Sequence, residues 1–107
     1  MRGTEATVVD GETFDSKREA ARWGELRLMQ RAGLIDDLRR QVSIPLDGRD
    51  GPILTPTGQH MRYVADFVYV DLNTGVRVVE DAKGHPTDVY RMKRAILAAM
   101  GVEVREV

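Results

Sequence analysis

The chain has 107 residues, 42% of them hydrophobic, which is typical of one domain with a compact core. It contains no cysteine, so disulfide bonds, thiolate metal ligands and cysteine nucleophiles are excluded, as suits a cytoplasmic protein. No apolar run reaches the roughly 18 residues of a membrane span, and we expect no signal peptide. The 16 basic and 17 acidic residues nearly cancel, so overall charge does not indicate a nucleic-acid-binding protein.

The first predicted elements are a helix and a strand. Helix-forming residues run from about Ser16 to Ala32 and stop before Gly33, which predicts the helix. The β-branched residues between Arg39 and Leu46 predict the strand. The segment from Asp47 to Gly58 is rich in glycine, proline and aspartate, so we expect a long mobile loop there.

The second half of the chain predicts a hairpin, a helix and a last strand. Met61 to Asp71 and Gly75 to Lys83 are both rich in strand-forming residues and are joined by turn residues. Thr87 is expected to cap a helix that ends near Met100, before a short strand from Val102 to Val107. With no internal repeat or domain boundary, this order predicts a single α/β domain over residues 1–107, a mixed sheet flanked by helices.

Asp66 lies in the middle of the first hairpin strand. Because alternate side chains point to opposite faces, Asp66 is expected to share a face with Val64 and Val68. The other face would carry four hydrophobic residues, Tyr63, Ala65, Phe67 and Tyr69. A carboxylate is seldom buried without a partner, so this position calls for a cation, a metal or a hydrogen-bond donor.

On the second hairpin strand, the same alternation places Asp81 and Lys83 on one face and Glu80 on the other. Asp66 and Asp81 can then converge with Lys83 at the end of the sheet, and Glu80→Gln should leave the site intact. Two carboxylates and the Ala82 carbonyl provide the oxygen ligands that magnesium prefers. Lys83 could orient or deprotonate a water and offset charge on phosphorus. The set therefore suits phosphodiester hydrolysis.

Some of these residues also allow a purely structural interpretation. Asp81 and Lys83 could form a surface ion pair beside an exposed Asp66. Lys93 could line the site or extend past an apolar surface, since it lies on the predicted inward stripe of the second helix, with Val89, Ile96 and Met100. His85 could touch DNA or be an ordinary loop residue.

Glu19 on the first helix favours a site. It precedes Trp23 by four residues and Leu26 by seven, which places an acid on the stripe that faces the core. A capping box with Ser16 is the structural alternative, because Glu19 is three residues after Ser16. The aromatic residues are expected in the core and not as base-stacking platforms: Trp23, Tyr63 and Phe67.

Ala65-Asp66, a gap of fourteen residues, Asp81-Ala82-Lys83 and the helical Glu19 together resemble the PD-(D/E)xK nuclease superfamily, whose core has the order αβββαβ. Here Ala65 replaces the proline of the superfamily name, which is not a ligand. Three segments are also similar to small phage and prophage proteins with endonuclease-like or uncharacterised labels: Phe14–Ala20, Tyr63–Tyr69 and Val79–Gly84.

The resemblance implies a restriction-endonuclease-like fold and a DNA endonuclease dependent on Mg²⁺ or Mn²⁺. Glu19, Asp66, Asp81 and Lys83 would be catalytic, and the metal ligands would come from the three acids and Ala82. Gln41 and Lys93, which match recurring positions of those phage and prophage proteins, would line the site or bind DNA. The uneven placement of basic residues adds Arg39, Arg40 and Arg94 as candidates for DNA binding, and His85 is a further candidate because it closely follows Lys83. The usual suggestion for such proteins is a Holliday-junction resolvase or a phage recombination nuclease, acting in the bacterial cytoplasm. A symmetric dimer would most simply cut both strands.

Two other functions compete with this one, because a fold does not fix a function. The first is a non-catalytic phage module that binds DNA or a protein on the same fold. The second is a structural interaction protein whose acids are surface residues. Titration with manganese separates the second from the nuclease-fold alternatives, since surface acids should bind no metal tightly.

Overall fold

The computed structural model of the chain describes residues 7–9, 12–14, 16–82 and 86–107. Within these residues it contains two helices and eight strands, in the order β1 (Thr7–Val9), β2 (Glu12–Phe14), α1 (Lys17–Arg31), β3 (Ile35–Pro45), β4 (Asp47–Gly48), β5 (Gly51–Pro52), β6 (Arg62–Asp71), β7 (Val76–Asp81), α2 (Asp88–Ala99) and β8 (Val104–Glu106). The predicted class is confirmed, since this is one small α/β domain. Neither helix in the described residues is long and apolar enough to cross a membrane.

The main sheet has the strand order β3-β6-β7-β8. Its first three strands pair antiparallel, and β8 pairs parallel to β7, so the sheet is mixed as predicted. A parallel neighbour needs a crossover connection, which α2 provides between β7 and β8. The predicted order of helix, strand, strand, strand, helix and strand is therefore confirmed from α1 to β8, with β4 and β5 as a small addition.

Helix α1 begins and ends where its sequence signals lie. The Ser16 hydroxyl accepts a hydrogen bond from the Glu19 amide at 3.2 Å, which caps the first turn. At the other end Gly33 takes a left-handed backbone with φ 79°, a conformation that glycine adopts without strain. Trp23 and Leu26 are buried and bring α1 onto one face of the main sheet, where Trp23 stacks on Phe67 at 6.1 Å between ring centroids.

Helix α2 covers the opposite face of the sheet through Tyr90 and Leu97, which pack with the second hydrophobic cluster. Its Thr87 cap is as predicted, with the Thr87 hydroxyl accepting from the Tyr90 amide at 3.1 Å. The predicted inward stripe is wrong at Val89, which is 61% exposed. The buried stripe is centred on Tyr90, and one residue along a helix turns by about 100°, which carries Val89 out to solvent.

Strand β6 changes face at its midpoint, contrary to the simple alternation predicted for it. Tyr63 and Ala65 belong to the cluster under α2, whereas Phe67 and Tyr69 belong to the cluster under α1. The three predicted core aromatics are nevertheless buried: Trp23, Tyr63 and Phe67. The turnover occurs at Asp66, the residue between the two pairs, so that Phe67 and Tyr69 pack under α1 instead of continuing on the face of Tyr63 and Ala65.

Strand β3 turns over at the same level. Val42 and Ile44 pack with the α2 cluster, while the Arg40 guanidinium lies 4.1 Å from the centre of the Phe14 ring in the α1 cluster. The pairing register is unchanged across this point, with Arg40 opposite Phe67 and Val42 opposite Ala65. Both strands therefore turn over at the same level, with Gln41 and Asp66 each lying between these two pairs.

Two regions differ from the sequence prediction. Where we predicted an open loop over 47–58, β4 and β5 pair with each other, and backbone bonds such as Ile53 N–H to Leu46 O at 3.0 Å fold the segment back. The turn is possible because Gly51 has φ 134°, outside the range of most side chains. The β1–β2 hairpin was not predicted, since its strands have only three residues each.

Candidate functional site

Asp66 and Asp81 are held next to each other by two hydrogen bonds in which their carboxylates accept from backbone amides across β6 and the end of β7. Asp81 Oδ1 accepts from the Asp66 amide at 3.0 Å, and Asp66 Oδ2 accepts from the Ala82 amide at 2.9 Å. The regular β6–β7 pairing ends one step earlier, at Phe67 opposite Glu80. The two carboxylates thus take the place of the next backbone rung, and each acid is fixed in orientation beside the other.

Glu19 reaches these acids through Gln41. Glu19 is 4% exposed, and its Oε2 accepts a hydrogen bond from Gln41 Nε2 at 2.7 Å. The same Gln41 nitrogen lies 3.4 Å from Asp66 Oδ1. We call Glu19, Gln41, Asp66 and Asp81 the carboxylate cluster; it joins α1, β3, β6 and β7 at the level where β3 and β6 turn over.

Two acids of the cluster, Glu19 and Asp81, are buried, whereas Asp66 is half-buried and Gln41 is exposed. Asp81 is 0% exposed, and a buried carboxylate is stable only with donors or cations around it. Glu19 has a cation nearby, because Arg40 Nη2 lies 3.7 Å from its Oε2. Of the capping box that was the structural alternative for Glu19, the bond from the Glu19 amide to the Ser16 hydroxyl is present. The Glu19 carboxylate accepts from Gln41, so capping alone does not account for this acid.

Glu80 lies on the other face of β7, as alternation predicted, but it is not a free acid. It is 0% exposed and accepts two hydrogen bonds from Arg22 of α1, at 2.9 and 2.7 Å, and one from the Tyr69 hydroxyl. These bonds to Glu80 raise the pKa of the Arg22 guanidinium above its ordinary value. The sequence indicates this pair only indirectly. Arg22 follows Glu19 by three residues, which places both side chains on the same side of α1, the side that faces the sheet.

Tyr69 gives this network a pH dependence. Burial first, and the hydrogen bond to Glu80 second, raise the pKa of Tyr69 from 10.0 to about 12. The unfolded chain releases this proton near pH 10 and the folded chain only near pH 12, so the stabilisation is complete below pH 10 and is lost as pH rises through 12. We expect the free energy of unfolding to fall by about 1.4 kcal/mol per pH unit from this group within that window.

Urea unfolding between pH 8 and 12 measures this slope. Tyr69→Phe removes the ionisable hydroxyl and should flatten the curve in part, since burial also raises the pKa of Tyr90. An equally steep curve in Tyr69→Phe would show that other groups control alkaline stability.

The other predicted site residues divide into three groups. Arg40 and Gln41 are at the cluster. Arg39 bonds to Asp37 at 3.1 Å, Lys93 Nζ donates to the Arg62 carbonyl at 2.8 Å, and Arg94 pairs with Glu106 at 3.1 Å, so the contacts of these three are made elsewhere. Lys83 and His85 lie outside the described residues.

The cluster is not a ready-made three-acid metal site. In the described part of the chain, no group of three or more His, Asp or Glu side chains is placed so that it could hold a metal ion. Asp66 and Asp81 are adjacent through the hydrogen bonds that their carboxylates accept from the Ala82 and Asp66 backbone amides, whereas the described bonds connect Glu19 to Asp66 through the side-chain amide of Gln41.

Fold and site together define a small α/β domain with a partly buried carboxylate cluster shared between its first helix and its central strands. The family model described as "Protein of unknown function (DUF1064)" matches residues 2–107. The chain therefore belongs to the DUF1064 family. No curated protein and no solved structure matches it.

Proposed function

We propose that the protein is a DNA endonuclease that depends on a divalent metal, with Asp66 and Asp81 at the centre of its site. The observation that carries the proposal is the adjacent placement of these two acids on the central strands, each carboxylate fixed by a backbone amide: that of Asp66 for Asp81, and that of Ala82 for Asp66. Asp81 is buried and Asp66 is half-buried. Acids held side by side away from water destabilise the fold, and such arrangements concentrate at functional sites. The motif and the element order resemble those of PD-(D/E)xK nucleases, and this resemblance is the reason for proposing hydrolysis of DNA phosphodiester bonds.

The residues present fit a hard divalent cation in the type of their donor atoms. Carboxylate and carbonyl oxygens are the ligands of Mg²⁺ and Mn²⁺, and the chain has no thiolate to favour a softer metal. Asp66 and Asp81 would hold the metal, with the Ala82 carbonyl and Glu19 as the remaining candidate ligands. When bound, the metal would polarise the phosphate and lower the pKa of a coordinated water.

The chain's own groups then have distinct tasks. The Asp66 and Ala82 amides hold the two carboxylates at fixed angles, which preorganises the negative charge. Arg40, with its guanidinium 3.7 Å from Glu19 Oε2, places a positive charge beside this acid. Lys83, two residues after Asp81, would orient the attacking water and offset charge that develops on the phosphate.

The finer assignments rest on the resemblance. A Holliday-junction resolvase or a phage recombination nuclease, in the cytoplasm of a bacterial host, is the proposed setting. A symmetric dimer would bring two sites to the two strands of a junction or duplex. Exposed basic residues such as Arg39 would contact the DNA backbone, and this contribution to affinity should weaken as salt rises.

The test is a cleavage assay on labelled duplex, nicked, single-stranded and four-way DNA, with an RNA of matched sequence. Cleavage with Mg²⁺ or Mn²⁺, and none with a chelator, is the expected result. Binding to any of these DNAs without cleavage in either metal would identify the chain as a non-catalytic binding module. Neither binding nor cleavage, together with no heat of manganese binding in calorimetry, would favour a structural interaction protein.

A further inference from the structure

Gln41 has an unusual backbone for a residue within a strand. Its φ is 54°, and among the described residues other than glycine only Asp37 shares this left-handed conformation, at φ 54°. The left-handed conformation is unfavourable by about 1–2 kcal/mol for a residue with a Cβ. Glycine and asparagine adopt it most readily. Glutamine at this position therefore destabilises the folded chain relative to glycine or asparagine.

The conformation has a visible consequence for the direction of the chain. Arg40 and Val42, the two neighbours of Gln41, face opposite cores although they are two residues apart. The strand remains in register with β6 on both sides of Gln41. The backbone thus turns over without losing its pairing, and the turnover places the Gln41 side chain at the carboxylate cluster.

The side-chain amide of Gln41 lies between two carboxylates, those of Glu19 and Asp66. Its Nε2 is 2.7 Å from Glu19 Oε2 and 3.4 Å from Asp66 Oδ1. A side-chain amide has two N–H donors on one nitrogen, so a single Gln41 can orient both carboxylates at once. Glycine or asparagine would adopt this backbone conformation more readily. Glycine, however, has no side-chain amide, and the side chain of asparagine is one methylene shorter.

We propose that Gln41 is a positioning residue, which sets the relative orientation of the Glu19 and Asp66 carboxylates and tolerates backbone strain to do so. This inference rests on the proposed nuclease function of the same cluster. Strain held at a functional site and compensated by the surrounding fold is a general pattern. Residues that orient metal ligands without binding the metal typically change metal affinity or activity about 10- to 100-fold when they are altered.

The test is Gln41→Gly, which relieves the strain and removes the amide in one step. We expect a Tm close to that of the wild type, because relief of the strain offsets the lost hydrogen bond to the buried Glu19. Mn²⁺ affinity by calorimetry should be lower by about 10- to 100-fold, and kcat should fall with little change in KM for DNA. Gln41→Asn keeps a residue that tolerates this backbone, and its shorter amide should give the same losses.

Asp37→Gly is the matched control, because it relieves the same φ at a residue whose side chain bonds to Arg39 on the surface. It should keep both Mn²⁺ affinity and kcat. Equal losses in Asp37→Gly and Gln41→Gly, or wild-type values in Gln41→Gly, would overturn the positioning role.

The proposed function can fail separately. If the wild type cuts no DNA with any divalent metal, nuclease activity is wrong, and the Mn²⁺ affinities still decide the role of Gln41. Weaker Mn²⁺ binding in Gln41→Gly than in Asp37→Gly supports it, whereas equal binding, or no Mn²⁺ binding by the wild type, overturns it.

Discussion

Asp81→Asn is expected to lower metal-dependent DNA cleavage by about 10²-fold or more, the size of loss seen when one preorganised charge-stabilising group is removed from an active site. Asparagine keeps an Oδ1 that can accept the Asp66 amide bond, so the bridge between β6 and β7 can persist. What disappears is the negative charge that a divalent cation requires. The measurements are initial cleavage rates, Mn²⁺ titration by calorimetry and circular dichroism for the fold.

Asp50→Asn is the control for loss of one acid, because the Asp50 side chain is 92% exposed. It should cut like the wild type. Lys83→Ala is the companion variant: it should lose cleavage but retain Mn²⁺ binding, since lysine supplies charge and water orientation and is not a ligand. An Asp81→Asn protein that folds and cuts as fast as Asp50→Asn would rule out Asp81 as a metal ligand.

Arg22→Met is expected to give the largest loss of stability, about 3 kcal/mol in the free energy of unfolding, because it leaves Glu80 buried without its cation. This is the lower end of the range for a broken buried pair, since Arg22 is itself 21% exposed while Glu80 is 0% exposed. Urea unfolding at pH 7 measures the loss. Arg31→Met, an exposed arginine of the same helix, should change the free energy by only a few tenths of a kcal/mol.

The two partners of this pair should not be equivalent. Glu80→Gln leaves Arg22 with Glu25 at 2.9 Å and with access to water, so it should cost less than Arg22→Met. The double variant Arg22→Met with Glu80→Gln contains no stranded charge and should recover most of the loss. If Arg22→Met proves no worse than Arg31→Met, the ion pair contributes nothing to stability.

The Arg22–Glu80 ion pair affects the use of Glu80→Gln as a control for catalysis. From the sequence, Glu80 was an acid on the far face whose loss should leave the site intact. Its opposite orientation is confirmed by the bonds to Arg22. Because Glu80 also anchors β7 to α1, Glu80→Gln should be assayed well below its unfolding temperature, where an effect on cleavage is separate from an effect on stability.

Local signals predicted the elements of this fold well. Ser16, Gly33 and Thr87 mark the ends of their helices because capping depends on residues within one turn. The hairpin of β6 and β7 followed from strand formers on both sides of a turn. On β7, simple alternation correctly separated Glu80 from Asp81, because no irregularity interrupts that strand.

The features missed were those that depend on distant residues. The turnover of β6 at Asp66 coincides with a left-handed Gln41 on a neighbouring strand, and nothing in the sequence around Gln41 requires that φ. The Arg22–Glu80 pair joins residues 58 positions apart. Asp66 and Asp81 could be brought together from the sequence only by assuming the hairpin register, whereas the role of the Ala82 amide needed the coordinates.

The parallel pairing of β8 with β7 sets an order of events during synthesis. β7, which carries Asp81, has β6 on one side as soon as the hairpin forms, but its other neighbour is Val104–Glu106, made more than twenty residues later. The Asp81 carbonyl receives its hydrogen bond from the Val107 amide. While β8 is still inside the ribosome tunnel, a β6–β7 hairpin that has formed leaves Asp81 on an open sheet edge. The carboxylate cluster has strands on both sides of β7 only after β8 has emerged and paired.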